Sequence, residues 1–309
     1  MEKDHAKPTE RPAKFVPRKY WKYLAAGVVS VWAMIFVALA EMPESRVKIW
    51  FLDVGQGDSI LIQTSTGENV LIDGGPRGKV LEELADVLPF FARDIDLMVL
   101  THPHADHLEG LVEVLKRYEV GAVLLTGVAY DNPYYEEFLL EVERRRGGVG
   151  SGAEEGLRVF VAVSDEDYRV GDVYLDVVYP VENLAGRRIG NLNNSSIVIR
   201  ASWLEGLEGV DGSLVWRRAL LSGDCEVECE EEILEAGFEL SADIFKAGHH
   251  GSKTASSEKF VSAINPSVVV IQVGKENKFR HPHAETLRGF YREGIREIWR
   301  NDLDGRVGL

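Results

Sequence analysis

Thr101-His102-Pro103-His104-Ala105-Asp106-His107 decides how the rest of the chain is read. It follows an apolar run, 96–100, with the length and composition of a buried strand. It precedes 108–118, where Leu108, Leu111, Val112 and Leu115 fall on one helical face. In a loop between strand and helix, alternate side chains point the same way, so His102 and His104 are placed to share one ion. Asp106 and His107, at the helix start, face a second. Imidazole and carboxylate together suit Zn, Mn or Fe, and the cluster contains no Cys. Seven of the eight His fall in three short groups, 102/104/107, 249/250 and 281/283, and only His5 stands apart. Histidines placed for packing alone would be scattered.

Outward from this loop the pattern alternates short β-rich runs with turns and helices. Strands are expected over 46–54 and 59–64, joined by Gly55-Gln56-Gly57-Asp58, and over 69–73, ending at Gly74-Gly75-Pro76. A helix over 78–92, a strand over 120–126 and a helix over 133–146 follow, then a flexible excursion over 147–156. Further strands are expected at 157–163, 173–179, 195–202, 214–221, 242–247, 267–273 and 297–300, with helices at 225–236 and 284–293. No Pro/Ser-rich linker divides 47–309. Strands first, then strands alternating with helices, predict an α/β domain of two sheets between helical layers.

Three more segments carry chemistry. Ser222-Gly223-Asp224 ends a strand and delivers a carboxylate suited to bridging two metals. In Phe245-Lys246-Ala247-Gly248-His249-His250-Gly251-Ser252-Lys253, adjacent His residues point in opposite directions. One ligates a metal while the other contacts substrate or moves a proton; His249 is taken as the ligand, although the sequence does not separate the two. Ser252 and Lys253 are placed to bind an anion. His281 and His283 precede a helix amino terminus and are read as substrate contacts. Cys225 and Cys229, four apart on the acidic helix, are read as small packing residues in preference to a disulfide.

The 309 residues carry a formal charge of −15, distributed unevenly: residues 1–40 hold seven Lys/Arg against three acids, leaving −19 on the remainder. So acidic a body excludes binding of nucleic acid through a broad basic surface. Residues 23–40 contain no formal charge, and at about 1.5 Å per residue they just reach across a bilayer core. They are read as an uncleaved anchor, with 1–22 a basic cytoplasmic tail and the acidic body outside. Ala38-Leu39-Ala40 before Glu41 supports the alternative of a signal peptide cleaved near Ala40. Either way the domain is exported.

Asp73 in Leu71-Ile72-Asp73-Gly74-Gly75, the His102–His107 loop, Asp224 and the His249-His250 pair, in that order, resemble the metallo-β-lactamase superfamily. Residues 51–58, Asn193-Asn194-Ser195-Ser196 and the 249–253 and 281–285 segments resemble more closely the β-lactamase-like domain of ComEC-type competence proteins. The resemblance covers roughly 47–309 and implies an αββα sandwich with a dinuclear metal site (Zn or Mn). By it, His102 and His104 bind one metal, and Asp106, His107 and one of His249/His250 bind the other. Asp224 bridges, and Asp73 is a buried carboxylate orienting the His loop. Asn193 and Ser196, taken as substrate contacts, stand where many members place a further metal His, which leaves one ion under-coordinated and completed by water or substrate. A single hydrophobic segment, without a multi-helix channel, suggests a stand-alone relative. Two ions roughly 3.5–4 Å apart would make hydroxide available near neutral pH for attack on phosphorus or a carbonyl. Asp106, His250, Lys253 and His283 would serve that chemistry. The expected substrate is a phosphodiester, with DNA foremost and no obligate protein partner. Small phosphodiesters, phosphocholine esters or lactams are the alternative, and a vestigial binding module is the third reading.

Overall fold

The computed structural model describes residues 17–40, 46–147, 156–206 and 213–309. The expected excursion therefore falls almost wholly outside the described residues, as does most of the basic tail. The chain forms two units, divided after Met42. In the first, α1 (Trp21–Ala40) covers the apolar run. Among the described residues no helix is long and apolar enough to cross a membrane, so the structure supports a helix here and not, by itself, a span.

The second unit starts with a meander of β1 (Lys48–Phe51), β2 (Ile60–Gln63) and β3 (Asn69–Ile72), each antiparallel to the next. Then α2 (Lys79–Val87) and a short β4 (Asp94–Ile95) lead to β5 (Leu97–Leu100). α3 (Ala105–Arg117), β6 (Glu119–Val120), β7 (Ala122–Leu125), α4 (Pro133–Arg146) and β8 (Arg158–Val161) complete this half. β3, β5, β7 and β8 pair in parallel, with helices crossing between them, and β4 pairs with β6.

The second half repeats the plan. β9 (Asp167–Val170), β10 (Val173–Tyr179), β11 (Val198–Gly206) and β12 (Leu214–Leu221) form an antiparallel meander. α5 (Val227–Ala236), β13 (Ile244–Lys246), α6 (Glu258–Ile264), β14 (Val268–Ile271), α7 (Ala284–Arg292) and β15 (Glu297–Arg300) follow. From β12 to β15 the pairing is parallel. α8 (Asn301–Asp304) then returns the chain so that β16 (Val307–Gly308) pairs with β1 in the first sheet.

Three apolar layers follow from this order. Phe51, Ile62, Val70 and Leu124 meet Val177, Ile199, Ala201 and Val270 between the sheets. Outside the first sheet, Leu71, Met98 and Val123 pack against Val80 and Leu84 of α2, Leu111 of α3 and Phe138 of α4. Outside the second, Leu220, Phe245 and Val269 pack against Ile233 of α5, Phe260 of α6 and Phe290 of α7. The architecture is αββα.

Several expected elements shift for local reasons. The helix expected over 78–92 stops at Val87 because Pro89 excludes the residue before it from helical backbone. The helix expected from Leu108 begins three residues earlier, putting Asp106 and His107 in its first turn. The strand expected from Ser195 starts at Val198, since Leu192–Ser195 is a tight 3₁₀ turn held by the Asn191 side chain. β9 and α6 were not expected. The Cys residues depart most: Cys225 and Cys229 form a disulfide, with Cα atoms 5.6 Å apart, Cys225 lying just before α5 and Cys229 in its first turn.

Gly74 and Gly110 let α3 sit directly on the β3–α2 turn. A Cβ added at Gly110 would lie 1.9 Å from the Gly74 carbonyl oxygen, while Gly74 N–H donates to the His107 carbonyl at 2.7 Å. Gly110→Ala is therefore expected to destabilise the fold by about 3 kcal/mol, read by urea denaturation. A change under ~0.5 kcal/mol would mean the helix slides freely on its turn.

Candidate metal centre

The carboxyl ends of β3, β5, β12, β13 and β14 converge on one edge of the sandwich, the region where open parallel sheets present ligand-binding loops. Asp73 follows β3. His102 and His104 follow β5, and Asp106 and His107 open α3. Asp224 lies beyond β12, His249 and His250 beyond β13, and His281 and His283 between β14 and α7.

Asp73 fixes the first loop. Its carboxylate accepts from the Thr101 backbone N–H at 2.8 Å, the Thr101 hydroxyl at 2.6 Å and His107 Nδ1 at 2.7 Å. That last bond turns His107 Nε2 inward, 3.3 Å from Asp224 Oδ2. His250 is held the same way: its Nδ1 donates to the Gln272 carbonyl at 2.9 Å and lies 3.2 Å from Asp58 Oδ1. Its Nε2 then lies 3.3 Å from Asp106 Oδ2 and 3.4 Å from Asp224 Oδ2. His107 Nε2, His250 Nε2 and Asp224 Oδ1 are buried, and none makes a hydrogen bond. Buried polar atoms left unpaired in one small volume, on imidazole and carboxylate donors, suit a divalent cation. Among the described residues, four overlapping groups of side chains have their donor atoms within 4.8 Å of one another: His102/His107/Asp224, Asp106/His107/His250, Asp58/Asp224/His250 and Asp58/Asp73/His107.

This geometry reverses the choice made between adjacent histidines. His250 turns into the cluster. His249 turns outward, with Nδ1 2.8 Å from Glu226 Oε1 and Nε2 3.8 Å from Asp224. Both adopt left-handed backbone, φ 45° and 54°, and their rings meet edge to face, centroids 5.9 Å apart. His104 is brought to His102, their ring nitrogens 3.0 Å apart, but joins none of the convergent groups. Ser196 is fully buried: its hydroxyl accepts from Asp224 N–H and lies 3.3 Å from His102 Nδ1, so it braces ligands and does not reach substrate. Asn193 donates to Glu226 beside His249. Ser252 is also buried and bonds Thr254. Lys253 is exposed, and its backbone N–H donates to His283 Nδ1 at 3.0 Å. His281 stands between His249 and His283 at ring separations of 5.5 and 4.7 Å.

Two residues without an expected role complete the site. Lys246 is completely buried, donates to the Gly223 carbonyl at 2.8 Å and forms an ion pair with Asp58. The pair places a fixed positive charge behind Asp224 and a fixed carboxylate behind His250. The sequence does carry a signal for both: a lysine within an apolar strand, and an Asp closing the glycine-rich β1–β2 turn.

Charge states follow from this packing. Burial holds His102 well below the usual imidazole range, with His107 adding to the effect, so His102 is neutral. Burial also opposes charge on His250 and His107. The Asp224 and Asp58 carboxylates outweigh it and lift His250 to about 10, and Asp224 with Asp73 lifts His107 well above its usual value. Burial and the neighbouring imidazoles of His249 and His250 push His281 down to about 4, leaving it neutral.

The Metallo-beta-lactamase superfamily profile matches residues 52–189. Over those residues the chain is similar to that superfamily. It is 27% identical to ComE operon protein 3 of Bacillus subtilis, over 94% of this chain and 36% of that protein. It is 25% identical to competence protein ComA of Neisseria gonorrhoeae, over 86% of this chain and 32% of that protein. The chain thus spans about a third of these relatives. Among solved structures, Igni18, a metallo hydrolase of Ignicoccus hospitalis, shares the fold at TM-score 0.51 and 13% identity, over 85% of this chain and 98% of that one. Metallo-beta-lactamase domains are typically hydrolases that bind divalent metals, and the His/Asp cluster fits that role.

Protons on His107 and His250 compete with metal. These pKa values are raised, so both rings hold protons at neutral pH, and a bound cation has to displace them. Metal affinity is expected to rise with pH from 6 to 8, by up to ~10-fold per unit for each proton displaced, with proton release measured by titration calorimetry in buffers of different ionisation enthalpy. Affinity independent of pH across that window would contradict the charge states.

Proposed function

We propose that this protein is a metal-dependent phosphodiesterase acting outside the membrane, on DNA or another phosphodiester. The observation that carries the reading is the convergence of Asp106, His107, Asp224 and His250, of which His107, Asp224 and His250 each bury a donor atom with no hydrogen-bond partner. Asp106, His107, His250 and Asp224 would hold one divalent ion, Zn or Mn, and His102 with His104 and Asp224 the second. Bound there, divalent ions supply Lewis acidity toward a phosphoryl oxygen and lower the pKa of water.

The chain's own groups do the remainder. Asp73 and Asp58 fix the ring orientations of His107 and His250. Lys253 reaches solvent at the site mouth, where it offsets substrate charge. His283 accepts at Nδ1, so Nε2 carries the hydrogen of the neutral ring and is available to donate a hydrogen bond to a substrate oxygen. The names of the relatives, competence protein ComA and recombination protein 2 of Haemophilus influenzae, favour DNA among phosphodiesters. The excess of acid over base in the body favours a second reading, a small phosphodiester.

The full chain loaded with Mn or Zn, assayed on single-stranded DNA, duplex DNA and a small chromogenic diester, tests this. Metal-dependent cleavage is expected, and Asp224→Ala should lower it at least ~10²-fold while circular dichroism stays native. Cleavage of the small diester alone would favour the second reading, and full activity in Asp224→Ala would remove the metal centre from the chemistry.

A separate proposal, carried by the charge-free run 23–40 of the sequence, is that α1 anchors the protein at a membrane. Its Trp21, Leu24, Val29, Trp32 and Phe36 side chains are all exposed, and the cationic residues lie on its amino-terminal side, which favours an extracytoplasmic body; cleavage near Ala40 and secretion is the alternative. Full-length protein is expected in the membrane fraction after alkaline carbonate washing, with its body digested by protease added outside spheroplasts. Release by carbonate would sink the anchor.

A further inference from the structure

The loop between β14 and α7 brings His283 to the candidate centre, while its residues 274–280 take no part there. Phe279 stands out from it, 49% exposed, with its ring 5.7 Å from that of His281 and inclined by only 24°, a stacked pair. His281 in turn lies 6.3 Å from His250, so the stack leads from the ligand cluster out to solvent. Lys275, Lys278 and Arg280 flank Phe279 against the single acid Glu276 and are exposed; they form no ion pair among the described residues, and the Lys278 ammonium lies over the Phe279 ring, 5.0 Å from its centroid, where an incoming base would displace it. In a body of charge −19 this is a local reversal of sign.

The loop is also rigidly built. Asn277 Nδ2 donates to the Gly274 carbonyl at 3.0 Å and the His281 carbonyl at 2.7 Å, while its Oδ1 accepts from His281 N–H at 2.9 Å. Glu276 and Arg280, at φ 56° and 60°, turn the chain on either side of that clamp. Gly274 N–H donates to the Gln56 side chain, tying the loop to the β1–β2 turn. An aromatic face held in place before any ligand arrives loses little entropy on binding.

From this we infer that the Phe279–His281 stack, with Lys275, Lys278 and Arg280, is a subsite for a single-stranded polynucleotide, one base stacking on Phe279 and the adjoining phosphates lying along the three cations. The inference rests on the phosphodiesterase reading and deepens it by naming the substrate class. Every base has a π-face, so such a platform is indifferent to sequence, and a backbone contact alone would not need an exposed ring. A duplex keeps its bases stacked on one another and offers none to Phe279. Three unpaired cations on an acidic body attract phosphate only at short range, so binding is strongly salt-dependent.

The test uses the full chain loaded with Mn, binding measured by fluorescence anisotropy with labelled oligothymidylate and with an abasic strand of the same length. Phe279→Ala is expected to weaken oligothymidylate binding about tenfold and leave the abasic strand unchanged, with Phe279→Trp restoring affinity. Lys275→Gln with Lys278→Gln should weaken both strands alike and flatten the salt dependence. Equal oligothymidylate affinity in Phe279→Ala and the native chain, with cleavage retained, overturns the subsite and spares the phosphodiesterase reading. No binding of either strand by a chain that hydrolyses a small diester overturns the polynucleotide. Loss of all hydrolysis in the native chain overturns the underlying reading instead.

Discussion

Three carboxylates, those of Asp58, Asp73 and Asp224, are buried within a few ångströms of one another, with Asp106 at their edge. Taking even one carboxylate out of water costs several kcal/mol unless it is paired and hydrogen-bonded. The surrounding structure is organised by that demand. His107 serves Asp73 and Asp224 at once, His250 spans Asp58, Asp106 and Asp224, and Lys246 gives Asp58 and Asp224 a permanent positive neighbour. Desolvation strengthens these attractions and fixes ring orientation more firmly than a solvent-facing site could. Acid concentrated here is what makes the place attractive to cations.

The two halves of the sandwich supply this cluster from equivalent positions. Each begins as an antiparallel meander and continues as parallel strands with crossover helices, so each brings strand ends to the same edge. The first half gives Asp58, Asp73 and the His102–His107 loop, and the second gives Asp224, Lys246 and His250. Gln272 reaches across from β14 to the Leu52 and Ser59 carbonyls at 3.2 and 2.8 Å, joining the halves directly behind the ligands. Each half pairs some of its own charges, Asp73 with His107 and Asp224 with His250, but the nearest counter-charges to Asp58, on Lys246 and His250, come from the other half.

The sequence disclosed those parts of the site that are contiguous. The His102–His107 loop could be read because imidazoles and a carboxylate so closely spaced, between an apolar strand and an amphipathic helix, have little to do there except bind metal. Asp224 was legible as a strand-tip carboxylate, and the strands over 173–179, 214–221 and 297–300 stood out by composition. What depended on backbone dihedrals was hidden. Nothing in the letters His249-His250 says that both adopt positive φ, so which ring turns inward could not be read. Ser196 looked polar and available because its burial is created by His102 and Asp224, far away in sequence. Lys246 shows in the sequence as a lysine within an apolar strand, but its role does not: only Asp58, nearly two hundred positions earlier, accounts for it. The disulfide was missed because helical spacing alone makes two cysteines four apart ordinary neighbours.

The disulfide encloses very few residues, so it takes little entropy from the unfolded chain and adds correspondingly little to global stability. Its influence is local. It begins one residue after Asp224 and closes over Glu226, whose carboxylate gathers Asn191, Asn193, Thr254 and His249. Thiol reagents would therefore leave the sandwich standing while loosening the rim that shapes its mouth, so the oxidation state of the surroundings bears on how well the centre is framed and scarcely on whether the polypeptide folds.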